Sequence, residues 1–197
     1  RIRNSNHVSV YEFDVLVQTL HEHFIEALSV LPDVVVSVIG MLGDQKVAEL
    51  DSVQARLIID TNYTAPAILL NHFAKLFEQR QHGCIIGVSS VAGDRGRKSN
   101  YIYGSAKAGF SAFLSGLRNR LYSSKVHVMT VKPGFVDTVM TKGMDLPEKL
   151  VILPEQVATD IYNGFIKKQD VVYSAWFWRW IMLVITSIPE KLFKKLS

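Results

Sequence analysis

A chain of 197 residues, 48% hydrophobic and 20% charged, suits one folded domain with a sizeable core and excludes a disordered segment. The net charge of +4 comes from basic residues dispersed except at the two ends, which is no signature of nucleic-acid binding. The single cysteine, Cys84, allows no internal disulfide, and with no CxxC, HExxH or similar spacing no metal site is expected.

Strand and helix signals alternate along the chain. Residues 8–17 read as a short strand with its exit loop and 18–31 as a helix, with Pro32 punctuating before an apolar strand over 34–38. Residues 51–80 are largely helical, and Pro66 fits there only as a helix-start residue or a kink. The β-branched run 84–88 is a buried parallel strand. It ends in Ser89-Ser90-Val91-Ala92-Gly93, small residues that suit a strand's C-terminal edge, where open α/β sheets bind ligands. A helix over 101–122 and a strand over 126–131 follow. Another helix spans 154–168, with Pro154 near its first position and Glu155 in its first turn, and residues 171–173 form a last strand. This order predicts an α/β fold with a doubly wound parallel sheet in three layers.

Tyr103 and Lys107 lie four residues apart, on one face of the predicted helix and about one turn from each other. A tyrosine titrates near ~10, and an adjacent ammonium favours the phenolate, so the pair suits proton transfer near neutral pH. A solvated helix face explains the same spacing equally simply. Ser90, 13 positions upstream, reads alone as a turn hydroxyl, and Asn62, at the head of the apolar helix, as a cap. The joint placement of all four argues against those separate readings.

In this order, Asn62, Ser90, Tyr103 and Lys107, followed by Pro133, Gly134, Val136 and Thr138, resemble the motifs of the short-chain dehydrogenase/reductase family. The resemblance implies a Rossmann-like sheet and NAD(P)H-dependent carbonyl reduction or the reverse alcohol oxidation. It makes Ser90 the carbonyl hydrogen-bond donor and Tyr103 the proton donor. Lys107 becomes the partner of the ribose hydroxyls that lowers the Tyr103 pKa, and Asn62 the holder of a proton-resupplying water. Pro133, Gly134, Val136 and Thr138 match the nicotinamide-side loop, and Gly40 permits close backbone approach to the cofactor. Ser37-Val38-Ile39-Gly40 nevertheless departs from the family's Asn-Asn-Ala-Gly. Arg3, with Asn4 at the end of what matches the second strand, stands where a basic residue meets the 2′-phosphate, favouring NADP(H) over NAD(H); an ordinary surface charge is the alternative. Asp14 matches an aspartate near the adenine amino group, with a loop-capping aspartate as the competing reading. The family's opening glycine-rich turn has no counterpart, so the chain reads as lacking the first βαβ portion, about 50 residues.

Residues 1–172 are then the catalytic domain and 173–197 an aromatic and basic tail. The apolar run after Tyr173 is shorter than the ~20 residues of a spanning helix and carries Arg179. With three tryptophans and a lysine-rich end, the stretch from Trp176 to Lys195 suits a helix in a membrane interface; a lid over the active site or a dimer interface fits as well. Gly40 to Asp44, Val91 to Asn100, Tyr103 to Gly109 and the tail resemble the reductase subunits of decaprenylphosphoryl-β-D-ribose 2-epimerases. That closer resemblance implies reduction of a 2-keto pentose on a polyprenyl phosphate to the arabino epimer, in the cytoplasm or on the inner face of the plasma membrane. Arg95, Arg97 and Lys98 are then candidates for the substrate phosphate, or simply a solvated basic loop. Pairing with a second copy or an oxidase subunit is also implied. A soluble reductase of small ketones or keto-lipids and a non-catalytic binding protein are the alternatives.

Overall fold

The computed structural model describes residues 8–196. Residues 8–17 do not form the expected strand. Among the described residues no strand pairs with them, and their local bonds, such as Val17 N–H donating to Asp14 O at 3.1 Å, are those of a loop. Asp14 Oδ1 turns this loop by accepting from the Leu16 N–H at 2.9 Å. The helix expected over 18–31 is also cut short, to a 3₁₀ turn Gln18–Leu20 and α1, His21–Glu26. In this stretch His21 is fully buried and Phe24, Ile25, Leu28 and Leu31 pack on the core, and so short a helix depends on such packing.

Strand β1, Val34–Ser37, leads to α2, Gln45–Leu50, and α3, Ser52–Ile59. The Asp44 and Asp51 carboxylates cap these two helices by accepting from their first backbone N–H groups. A π-helical turn, Asp60–Thr64, joins α3 to α4, Ala65–Arg80. The wider turn, closed by the Ala65 N–H donating to Asp60 O, lets the helix carry Pro66 in its first turn. Next come β2, Gly83–Val88, a 3₁₀ turn Val91–Gly93, α5, Tyr101–Leu121, and β3, Val126–Pro133. The chain then forms a two-residue strand pair, β4, Phe135–Val136, with β5, Val151–Ile152. It ends through α6, Pro154–Ile166, β6, Val171–Ser174, α7, Trp178–Ser187, and α8, Glu190–Phe193.

The main sheet has the order β1-β2-β3-β6, all parallel, in a register that pairs Val34 with Cys84, Ile86 with Met129 and Val131 with Val172. Alternation along the strands sends Ile85 and Val128 to one face, under Leu70, Phe73 and Phe77 of α4 and Phe110, Leu114 and Leu121 of α5. Cys84, Ile86, Met129 and Val131 face the other way, under Ile161 and Phe165 of α6. Each fully buried leucine or phenylalanine contributes about 2 kcal/mol of transfer free energy. Helices therefore cover both faces of a parallel sheet, as expected, and the strand C-termini converge on one edge.

Helix α7 packs on that edge. Trp178, Ile181, Met182 and Ile185 recur at helical spacing and pack with Val91, Phe135 and Tyr173. Trp178 is only 2% exposed, so it does not belong to an interfacial tryptophan cluster as the sequence suggested. Trp176 and Trp180 do remain exposed, at 73% and 58%. Among the described residues, no helix is long and apolar enough to cross a membrane.

Candidate active site

A cavity of about 350 Å³ opens at the C-terminal edge of β1, β2 and β3. Gly40, Ser90, Tyr103, Lys107, Pro133, Gly134, Val136 and Thr138 all line it. These eight come from three strand ends and one helix, and the parallel register brings them together. Asn62 lies directly behind this wall, and Asp14 is an exposed loop residue away from it. Arg3 and Asn4 lie outside the described residues.

Lys107 is 3% exposed, and its ammonium donates to Ile39 O and Val88 O, both at 3.3 Å. Burial pulls its pKa from the usual 10.5 to about 8. Nζ lies 5.8 Å from the Tyr103 ring centroid. The expectation that Lys107 lowers the Tyr103 pKa does not hold in this geometry. Burial raises the Tyr103 phenol, and only its hydrogen bond with Ser90 works the other way. Tyr103 thus keeps its proton at neutral pH, which suits it to donate. Ser90 Oγ also accepts from the Ala92 N–H at 3.1 Å, which fixes the hydroxyl at the strand end.

Asn62 is fully buried in the π turn. Its amide pairs with the backbone of Met41, Nδ2 donating to Met41 O at 2.7 Å and Oδ1 accepting from Met41 N at 3.3 Å. Nδ2 also donates to Ile58 O at 2.8 Å. The helix thereby holds the loop after β1, and with it Gly40. A β-carbon on Gly40 would stand 2.9 Å from Asn62 Oδ1 and 3.0 Å from Lys107 Nζ, so only glycine lets this backbone approach the two side chains.

Two features of the site escaped the sequence reading. Lys132 Nζ donates to Asp94 Oδ1 at 2.5 Å, and the Tyr173 hydroxyl donates to Asp94 Oδ2 at 2.8 Å. This cluster ties the loop after Ser90 to the strand end before Pro133 and to β6. The usable signal was Lys132 itself, a charge closing an apolar strand. The other is Trp178, whose ring lies against Gly134 and meets Phe135 edge to face at 5.3 Å between centroids. The tail therefore helps shape the Pro133-Gly134 wall.

The three basic candidates before α5 are not equivalent. Arg95 donates to Glu190 at 2.7 Å and to Thr186 O at 3.2 Å, and its guanidinium sits 4.2 Å from the Phe193 ring centroid. It serves to hold α7 and α8. Arg97 donates only to the Met182 thioether, at 3.5 Å, and has no carboxylate partner among the described residues.

The fold and the constellation at the strand ends define a class, and the chain belongs to the short chain dehydrogenase family, whose model matches residues 3–149. It is similar to an uncharacterized oxidoreductase of Mycobacterium tuberculosis, 38% identical over 157 residues covering 80% of this chain and 63% of that protein. An uncharacterized oxidoreductase of Streptomyces coelicolor is 34% identical over 165 residues, covering 83% of this chain and 64% of the relative. The chain thus spans less than two thirds of the length of these relatives. Among solved structures it resembles a short chain dehydrogenase of Burkholderia cenocepacia in complex with NADP, with TM-score 0.82 and 20% identity over 98% of this chain and 82% of that one. A short-chain dehydrogenase of Sphingobium yanoikuyae in complex with NADPH superposes with TM-score 0.75 and 22% identity over 90% and 74%. At these identities the structural likeness speaks for the fold.

Proposed function

We propose that the protein is an NAD(P)-dependent oxidoreductase that interconverts a ketone and a secondary alcohol. The observation that carries this reading is the convergence of Ser90, Tyr103 and Lys107 on one cavity at the sheet edge. Gly40, Lys107 and the Pro133–Thr138 loop are the residues that would hold a nicotinamide dinucleotide. The close approach of Gly40 to Lys107 fits such a group, because it leaves backbone rather than side chain at the cavity wall. When bound, that group supplies or accepts the hydride. Ser90 orients the carbonyl oxygen, and Tyr103 gives its proton to the oxygen as negative charge develops there. Lys107 holds a positive charge behind the phenol. Asn62, whose polar atoms are all engaged with backbone, keeps Gly40 and Lys107 in place. NADP(H) is favoured over NAD(H) by Arg3.

The finer reading is a keto-sugar on a polyprenyl phosphate, reduced in the 2-keto-ribose to arabinose sense at the inner face of the plasma membrane. It is supported by the tail. Trp176, Trp180, Leu183, Val184 and Leu192 are exposed, with Lys191, Lys194 and Lys195 beside them, a composition that suits an anionic lipid surface. A substrate with its lipid in the membrane and its sugar in water would be met there. An oxidase partner or a second copy belongs to this reading.

Flotation with vesicles of anionic phospholipid, followed by NADPH turnover of a polyprenyl-linked keto-sugar against small ketones, tests it. Flotation with turnover of the lipid-linked sugar supports the finer reading. Turnover of small ketones without flotation would leave a soluble reductase.

A further inference from the structure

A groove of about 620 Å³, sharing no lining residue with the candidate cavity, is lined by Gln45, Lys46 and Glu49 of α2, by Arg97, Lys98 and Ser99, and by Phe193 and Leu196 of the tail. Phe193 and Leu196 give it an apolar side, opposite the polar residues of α2 and the loop before α5. Its charge is unbalanced. Among the described residues Glu49 is the one acidic lining residue, and it accepts from Gln45 Nε2 at 3.2 Å. Gln45 Oε1 in turn accepts the Ile102 N–H at 3.1 Å, so the groove floor is fastened to the first turn of the helix that carries Tyr103.

Arg97 is the unexplained group. A guanidinium offers five N–H donors in a planar fork matched to phosphate or carboxylate. Here it is half-buried, and among the described residues its one side-chain bond is to a thioether, a weak acceptor. Burial works against its charge. Arg95, two residues away, has a carboxylate, a carbonyl and an aromatic ring, so a shortage of partners in this part of the fold does not explain the difference. A half-buried guanidinium that lines a groove has donors free to meet an anion there.

We infer that this groove binds an amphiphile through a phosphate head at Arg97, with Lys46 and Lys98 at its rim, and takes the adjoining apolar chain along Phe193 and Leu196. This deepens the lipid-linked reading of the substrate and rests on it for its biological meaning. It also states which arginine reads the acid: Arg97, with Arg95 left to hold the tail.

Calorimetric titration with dodecyl phosphate below its micelle concentration tests the site, with no cofactor and no turnover. Saturable one-to-one binding is expected, at least tenfold tighter than 1-dodecanol and tenfold tighter than inorganic phosphate. Arg97→Gln should weaken it at least tenfold, Arg97→Lys should bind more tightly than Arg97→Gln, and Phe193→Ala should weaken it severalfold. Trp180→Ser, on the outer face of α7, should leave it unchanged. Equal binding of dodecyl phosphate by wild type and Arg97→Gln would overturn the site, as would equal binding of dodecanol. Loss of binding in Trp180→Ser would place the amphiphile on the outside of the tail and overturn it too. Because turnover is not read, the site can fail while the reductase reading stands, and the reverse.

Discussion

The indole of Trp178 lies so close to Gly134 that a β-carbon at position 134 would overlap the ring. The tail is thus packed against the Pro133-Gly134 wall of the candidate cavity. Gly134→Ala should expel the indole and lower stability by about 2 kcal/mol, in the range of overpacked cores. Urea unfolding with tryptophan emission checks this: a lower midpoint and a red-shifted native spectrum are expected. An unshifted spectrum with unchanged stability would mean that the indole does not sit there.

The Asp94–Lys132 pair joins the loop after Ser90 to the end of β3, with both side chains mostly covered. Removing one partner of a buried pair leaves an uncompensated charge, and Asp94→Ala should cost about 3 kcal/mol. Asp94→Ala with Lys132→Met should recover much of that loss, because the stranded charge is gone. Chemical denaturation of the two single variants and the double variant measures the coupling. Strict additivity would show that the ion pair contributes nothing.

The parallel sheet and its helices were legible because the apolar runs at 34–38, 84–88 and 126–131 are short, β-branched and separated by helical periodicity. Ser90, Tyr103 and Lys107 were legible as spacings, and the structure gathers them in one cavity. What sequence could not give is which partner each side chain finds across the fold. Trp178 and Trp180 look alike in the chain, yet one faces the core and the other solvent, since they lie two residues apart on one helix. Arg95 and Arg97 are likewise neighbours separated by their partners. The short strand expected within 8–17 did not form for a non-local reason: among the described residues no strand is placed to pair with it.

Lys107 gives the site a pH signature. Its folded pKa of about 8 lies below the ordinary 10.5, so between those values the unfolded chain binds more protons than the folded one. Stability therefore rises with pH through that window, and below pH 8 the full cost of burying the charged amine is present. Lys107→Met removes the effect, while every other group is common to both proteins and cancels in the difference. Urea unfolding at several pH values should show wild type gaining stability relative to Lys107→Met from pH 8 to pH 10. A pH-independent difference would mean that Lys107 titrates as an exposed lysine.

Asn62 is predicted to act through the fold. Asn62→Leu leaves the Met41 N–H and O and the Ile58 O without their side-chain partner and should cost about 2 kcal/mol. The amide exchange of Met41, followed by hydrogen–deuterium exchange, should accelerate in this variant. Unchanged exchange would show that the loop is held by something else.

The most direct test concerns Tyr103. On a form of the protein that binds NADPH, ketone-dependent NADPH oxidation is measured for wild type and Tyr103→Phe, with NADPH affinity determined for both. A proton donor contributes about 10²-fold or more to such a step. Turnover should therefore fall by at least that factor while NADPH affinity stays within about twofold, since the ring is kept and only the donor is lost. Turnover by Tyr103→Phe within a few-fold of wild type would contradict the account.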